Sequence, residues 1–247
     1  MRADYPTPEA PDELRSLWKA AFGDSDAFLD GFFETAFAFD RCRCISMDGQ
    51  IAAALYWMDC RCRDLPYAYI YAVATQPALQ GQGLCRALMA DTHGHLRSLG
   101  YAGCILVPGS RSLFAMYEKM GYRCFSGMDR LQAVAGKPAT IREITAEEYG
   151  VLRKEYLPED GVVQEGLDFL ATYAKLYAGD DFICAVDPKS EPLSCIELLG
   201  NAGAAAGILG ALGKKSGSFR IPGNAPFAMY YPLADTREPG YFGLAFD

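Results

Sequence analysis

The sequence predicts an α/β protein built from two halves of similar layout. Three observations predict it. The run Tyr67–Thr75 is apolar, aromatic or β-branched throughout, the pattern of a buried strand. That strand leads past Pro77 into a polar turn, Gln80-Gly81-Gln82-Gly83, and a helix pattern starts at Leu84. From Ile141 onward a comparable succession of strands and helices returns, around a Gly/Ala-rich stretch at 200–212.

Length and composition bound the rest. At 247 residues the chain has room for one or two domains. Hydrophobic residues make up 51%, enough for a sizeable core and too many for disorder. No apolar run approaches the ~20 residues of a membrane span, so no membrane partner is expected. The first residues, MRADYPTPEAPDELR, are polar and carry no apolar signal core, which predicts a reducing, cytoplasmic location. A net charge of −8 argues against nucleic acid as a partner and favours cationic substrates such as amines.

Taken in order, Pro11–Phe22 reads as a helix, with Pro near its first turn and Gly23 as its stop. Asp24 or Ser25 caps a second helix running to about Phe37. Phe28, Phe32, Phe33 and Phe37 recur there at helical spacing, as core or as one wall of an acceptor site. Strands follow at about Arg41–Met47 and Ile51–Arg63, joined by an Asp48-Gly49 hairpin turn. Leu65-Pro66 then turns into the central strand. In the helix after the glycine turn, Cys85, Leu88, Met89, Thr92, Leu96 and Leu99 form one stripe, and Gly100 ends it. His93 and His95, the only histidines, flank that stripe and read as surface or edge residues.

Nine cysteines raise the question of metal. Cys42-x-Cys44 and Cys60-x-Cys62 have ligand-like spacing, but both lie in strand patterns. The Asp48-Gly49 turn sets Cys44 opposite about Ala54, which leaves Cys60 roughly 20 Å further along at ~3.3 Å per residue. Free thiols and no metal are the expectation. The odd count, with no secretory signal, argues against a disulfide framework.

A strand at Ala102–Val107 precedes the loop Pro108-Gly-Ser-Arg-Ser112. Ser110 or Ser112 caps a short helix ending at Met120, with Gly121 as its left-handed stop. Tyr122–Met128 and Arg130–Val134 complete the first sheet, and Ala135–Ala139 reads as a linker. Beyond it come a short strand at Ile141–Ile144, a capping box at Thr145-Ala-Glu-Glu148, and a helix over about Val162–Tyr177. Strands at Phe182–Val186 and Leu193–Leu199, a helix at Ala202–Leu212, and strands near Phe219, Phe227–Tyr231 and Tyr241–Phe246 follow.

Strand, glycine turn and helix N-terminus together form an anion site. The first helix amides lack internal partners, and the helix dipole adds positive potential there. No Gly-Lys-Ser/Thr follows, which excludes a Walker loop, and Arg86 stands where a dinucleotide fingerprint needs its third glycine. What remains, Gln80-Gly81-Gln82-Gly83-Leu84-Cys85, resembles the acyl-CoA signature of the GNAT superfamily of N-acyltransferases, Gln/Arg-x-x-Gly-x-Gly/Ala. Cys85 departs from the last position, being larger than Gly or Ala. Ser112-Leu-Phe-Ala-Met-Tyr-Glu-Lys-Met-Gly-Tyr122 resembles the second hallmark of that family, and the tyrosine of the motif falls on Tyr117.

The resemblance implies two GNAT-like halves, residues 1–135 and 140–247, each a mixed, mostly antiparallel twisted sheet flanked by helices. The second half would be degenerate, since the stretch at 200–207 lacks the Gln/Arg and the tyrosine helix. The tandem order resembles the Eis-like acetyltransferases, without the sterol-carrier-like domain that those carry. It further implies an N-acetyltransferase that moves acetyl directly from acetyl-CoA to a primary amine of a small molecule or peptide. Gln80, Gly81, Gln82, Gly83, Leu84 and Cys85 would hold the pyrophosphate, and Val73, Ala74 and Thr75 would pair with the pantetheine arm. Ser112 joins the cofactor-binding set, and Arg86 or Arg111 would reach the 3′-phosphate. Tyr117 would protonate the departing thiolate, whether or not it also packs with Leu113, Met116 and Met120. Glu34, Asp59, Tyr69, Tyr71, a water chain and the terminal Asp247 all remain candidates for the base. A non-catalytic CoA-binding sensor or interaction module is the competing reading. A homo-oligomer is left open.

Overall fold

A computed structural model describes residues 2–246. Its elements run α1 (Pro11–Phe22), α2 (Asp26–Thr35), β1 (Cys42–Met47), β2 (Gln50–Cys62), β3 (Leu65–Thr75), α3 (Leu84–Ser98), β4 (Gly103–Leu106), α4 (Arg111–Glu118) and β5 (Arg123–Val134). They continue with β6 (Arg142–Glu143), α5 (Ala146–Tyr156), β7 (Val163–Gln164), α6 (Leu167–Tyr173), β8 (Lys175–Ala178), β9 (Phe182–Asp187), β10 (Leu193–Gly200), α7 (Ala205–Ala211) and β11 (Ser216–Pro232). The fold is mixed α/β. It divides into two units that interleave along the chain, one of residues 1–123, 164–166 and 230–238, the other of the remainder.

In the first unit β1, β2 and β3 pair antiparallel, and β4 adds parallel to β3. Asp48 and Gly49 both take positive φ in the β1–β2 turn, and Cys44 lies opposite Ala54, the register expected from that turn. The β2–β3 turn falls elsewhere than expected. It is made by Arg63 and Asp64, both at positive φ, and Leu65-Pro66 belongs to the strand. Arg63-Asp64 lacks the glycine that such hairpin turns favour, and the neighbouring Pro66 is the stronger turn signal by type. α1 ends on Gly23 in the left-handed region, and Ser25 caps α2 by accepting from the Phe28 amide. Asp24 instead accepts from Trp18 Nε1 at 2.8 Å. Trp18, Phe32, Tyr56 and Tyr71 pack into one aromatic core beneath α1 and α2.

The strand expected to finish the first sheet, Tyr122–Val134, passes into the second unit at Cys124 and pairs there with β11. Beside β4 in the first unit stand residues 230–232 of β11. Gly103 gives them room, since a Cβ there would come within 2.2 Å of the Tyr230 ring.

In the second unit β6, β8, β9 and β10 pair antiparallel in that order, and β11 runs parallel to β10. Thr145 caps α5 as its capping box predicts, accepting from the Glu148 amide. The helix expected over Val162–Tyr177 is shorter, only Leu167–Tyr173, because the chain on either side forms β7 and β8. Tyr241–Phe246 is buried but is not a strand; only Tyr241 bridges, to Gly161. Its run of apolar residues reports burial, which a strand and an extended tail share.

A buried ion pair holds this unit. Arg153 donates from Nε and Nη2 to Glu197 at 2.8 and 2.9 Å, and Tyr149 O–H donates to the same carboxylate at 2.8 Å. Glu197 is fully buried, and among the described residues Arg153 is the cation paired with it, with Tyr149 adding a neutral hydrogen bond. Glu197→Leu should cost about 3–5 kcal/mol, because it leaves the Arg153 charge buried and unpaired. Adding Arg153→Met should recover much of the loss. Urea denaturation of both variants checks this, and a double variant as unstable as the single one would show that the packing, not the pair, is at stake.

Candidate acyl-transfer site

The site begins with an interruption in β3. Tyr71 lies opposite Tyr56 and Ala74 opposite Ala54, so Ala72 and Val73 together face Leu55 alone. This is a β-bulge, and Ala72 adopts φ 46, a left-handed conformation uncommon for a residue with a Cβ. Parallel pairing of β3 with β4 covers Tyr67–Tyr69 and goes no further. Beyond it the edge of β3 from Ala72 to Thr75 parts from β4. Val73 and Thr75 are half-buried there, and Ala74 is buried. Nothing in the sequence marks the bulge, since it contains no glycine.

The turn after β3 has two left-handed residues, Gly81 at φ 77 and Gly83 at φ 82. A Cβ at either would meet nothing within 4 Å, so backbone conformation and not crowding demands glycine. Gln80, Gly81, Gln82 and Gly83 are all exposed. Gly83 caps α3 with no side-chain acceptor, and the first amide to bond back is Ala87 N, to Gly83 O at 3.0 Å. The amides of Leu84, Cys85 and Arg86 therefore have no helical partner, the condition for an anion site. The Leu84 side chain is buried in the core. Cys85 is half-buried, and burial pushes its thiol above the ordinary value.

α4 has one buried residue, Tyr117. Burial pushes its phenol well above the usual range, and the Cys85 thiol adds to the effect. Tyr117 thus serves as the packing anchor of α4 and carries a hydroxyl that holds its proton. Ser112 is exposed in the first turn, its Oγ 3.0 Å from that of Ser110. Arg86 and Arg111 are exposed.

The base candidates separate. Tyr71 adjoins the bulge, half-buried, its ring 5.6 Å from that of Trp18. Tyr69 is buried behind it. Asp59 pairs with Ala68, three pairs from the bulge, and its carboxylate is engaged by Arg41 Nη2 at 2.9 Å and by Tyr101 O–H. Glu34 is exposed on α2. Asp247 lies outside the described residues. All nine cysteines are free thiols, and among the described residues no cluster of His, Cys, Asp or Glu is placed to hold a metal ion.

His93 corrects the sequence reading. It is buried at 5% exposure, with Nε2 2.8 Å from Tyr122 OH and its ring stacked on Tyr231 at 4.0 Å. Burial lowers its pKa to about 4. A polar residue on a helix flank reads as exposed until the tertiary partner that covers it is known. His95 is half-buried at the edge, against Tyr5.

Residues 3–125 match the model of the acetyltransferase (GNAT) domain. Over that stretch the chain belongs to the GNAT superfamily. No curated protein matches the chain in sequence. Solved structures share the GNAT fold. A GCN5-related N-acetyltransferase from Kribbella flavida aligns at 17% identity with TM-score 0.68, over 94% of this chain and 72% of its own. Eis1 from Mycobacterium abscessus aligns at 11% identity with TM-score 0.67, over 94% of this chain and 74% of its own. A tandem GNAT protein from the clavulanic acid biosynthesis pathway aligns at 11% with TM-score 0.58, over 96% and 100%. The tandem arrangement is thus part of the shared fold. Among the described residues no helix is long and apolar enough to cross a membrane.

The neutral, buried His93 gives the GNAT domain an acid sensitivity. The unfolded chain takes up a proton near pH 6.5 and the folded one only near 4, so stability present above 6.5 is lost as pH falls towards 4. The full effect is roughly 3 kcal/mol. Between pH 7 and about 4.5 the urea midpoint should fall further in the wild type than in His93→Leu. Equal slopes would show that other groups dominate the acid limb.

Proposed function

We propose that the GNAT domain transfers an acetyl group directly from acetyl-CoA to a primary amine of a small molecule or peptide. The observation that carries this reading is the concurrence, in one unit, of the left-handed bulge, the uncapped two-glycine helix start and the buried Tyr117.

Each part has a role. The free amides of Gly81 to Cys85 hold the pyrophosphate, helped by the helix dipole. The free edge at Val73, Ala74 and Thr75 pairs with the amides of the pantetheine arm, as an added strand would. A backbone amide at the bulge polarises the thioester carbonyl. The amine nitrogen attacks the carbonyl carbon, the carbon–sulfur bond breaks, and the thiolate takes the Tyr117 proton. The amine proton leaves to solvent or to a base, for which Tyr71 is the titratable side chain nearest in sequence to the bulge. Transfer is direct: a thiol whose pKa burial raises is a poor nucleophile, and His93 is bonded to Tyr122 and not to Cys85.

We read residues 140–247 as a degenerate GNAT-like half with no CoA site. Its corresponding turn is closed, since the Asn201 side chain accepts from the Gly203 amide at 2.9 Å. Calorimetry should give one acetyl-CoA per chain, and Gly83→Asp should abolish it by forcing a Cβ into a left-handed position and a carboxylate against the pyrophosphate. Two equivalents per chain, or unchanged binding by that variant, would overturn the assignment. Binding without thiol release across a panel of amines would favour the non-catalytic module.

Tyr117→Phe should lower kcat about 10²–10⁴-fold with KM for acetyl-CoA unchanged. Burial raises the pKa of Tyr117, so the proton stays on and the deficit should persist through about pH 10, where an ordinary tyrosine would already be ionising. Steady-state kinetics of thiol release checks both points, and full kcat in the variant would reduce Tyr117 to a core residue.

A further inference from the structure

We propose that His93 is a positioning residue for Tyr117, acting through Tyr122. The inference rests on the reading of Tyr117 as the proton donor. His93 lies eight residues beyond Cys85 on α3, about 12 Å along the helix at 1.5 Å per residue, and flanks the stripe that Cys85 begins. Cys85 stands in the first turn of α3, at one end of that stretch. At the other, His93 Nε2 bonds the Tyr122 hydroxyl at 2.8 Å. Through His93 the α3 helix is tied to the tyrosine segment, and its N-terminus is the proposed pyrophosphate site.

Tyr122 transmits the constraint to Tyr117 in two ways. Its amide bonds the Tyr117 carbonyl at 3.1 Å, closing the turn around Gly121. Its ring meets the Tyr117 ring edge-on, with centroids 5.6 Å apart. Tyr231 completes the block, stacked on His93 at 14° and 5.3 Å from Tyr122. Gly121 leaves space for that ring, since a Cβ there would come to 3.0 Å of it. The Cys104 thiol faces the same Tyr122 hydroxyl, and Arg97 faces His93 from its own helix. Against these neighbours the neutral imidazole is the partner that fixes Tyr122 in one orientation. A hydrogen bond of fixed direction can hold the distance between the pyrophosphate turn and the Tyr117 hydroxyl; an apolar side chain of the same volume cannot.

The test is a pair of double-mutant cycles on the full chain, read by thiol release from acetyl-CoA with an accepted amine. His93→Leu and Tyr122→Phe, each alone, should lower kcat about 10- to 100-fold and leave KM for acetyl-CoA within about twofold, since the misplacement affects chemistry and not binding. In the Tyr117→Phe background neither should cost anything further, because the group they position is gone. Equal losses in both backgrounds, or no loss in either, would overturn the proposal and leave His93 as a packing residue. Should His93→Leu fail to fold, Tyr122→Phe, which removes a single oxygen, decides alone. If Tyr117→Phe itself keeps full kcat, the donor reading fails and this inference falls with it. If Tyr117→Phe is slow and the two effects multiply, only the positioning role is lost.

Discussion

Ala72 holds φ 46 in the interior of a strand, and such a conformation costs about 1–3 kcal/mol and persists only where its surroundings impose it. Here they do. β2 pairs with β3 on both sides of the bulge, from Leu65 to Tyr71 and again at Ala74 and Thr75. Tyr71 is packed against Trp18 and Phe32 on one side, and Ala74 is buried on the other. With both flanks fixed, the extra residue has one place to go. The interruption sets the course of the next dozen residues. It lies beyond the stretch of β3 that pairs with the short β4, and Pro77 follows it within a few residues. The two left-handed glycines and the uncapped helix start, where the anion site is proposed, follow directly from that strand end.

The second unit repeats the order of elements and part of the irregularity. β10 also carries an extra residue, Ile196, between the pairs Cys195–Val186 and Glu197–Ala185, and a helix then leads to a parallel strand. What differs is the start of that helix. Gly200 is left-handed as Gly83 is, but a Cβ there would lie 2.3 Å from the Asp181 carbonyl oxygen, whereas Gly83 faces open space. Asn201 fills the capping role that no side chain fills at α3. Gly207 and Gly210 serve close approach, since a Cβ at each would lie 2.9 Å from Ala139 and 2.4 Å from the Gly136 carbonyl. The same topology can thus leave backbone amides open at one helix start and satisfy them internally at another, and a few residues at the turn make the difference.

Much of this is legible in the sequence, and the rest is hidden for identifiable reasons. Periodicity and punctuation place the bounds of α1, the Asp48-Gly49 turn, the Cys44–Ala54 register and the Thr145 cap, because each is set by local chemistry. The glycine turn is legible because positive φ selects glycine. The bulge at Ala72 and the turn at Arg63-Asp64 are not, because there the fold imposes positive φ without a glycine to announce it. The departure of β5 to pair with β11 depends on a partner far along the chain, beyond any local pattern. The burial of His93 is hidden for the same reason, since Tyr231, which covers it, comes from the far end of the chain.

Burial of Cys85 and of Tyr117 bears on the proposed route of transfer. Removing water penalises whichever form is charged, and for a thiol and a phenol that form is the anion. Both groups are therefore held protonated, and the thiol raises the cost of ionising the phenol. A covalent route would need Cys85 as thiolate, with a base to make it so, and His93, about two turns further along α3, is bonded to Tyr122. A direct route needs the opposite, a neutral acid beside the departing sulfur. The departure of Cys85 from the Gly/Ala of the family pattern thus does not add a nucleophile. It adds a second half-buried, neutral group that raises the cost of ionising Tyr117, in keeping with the protonated phenol that the proposed direct transfer requires.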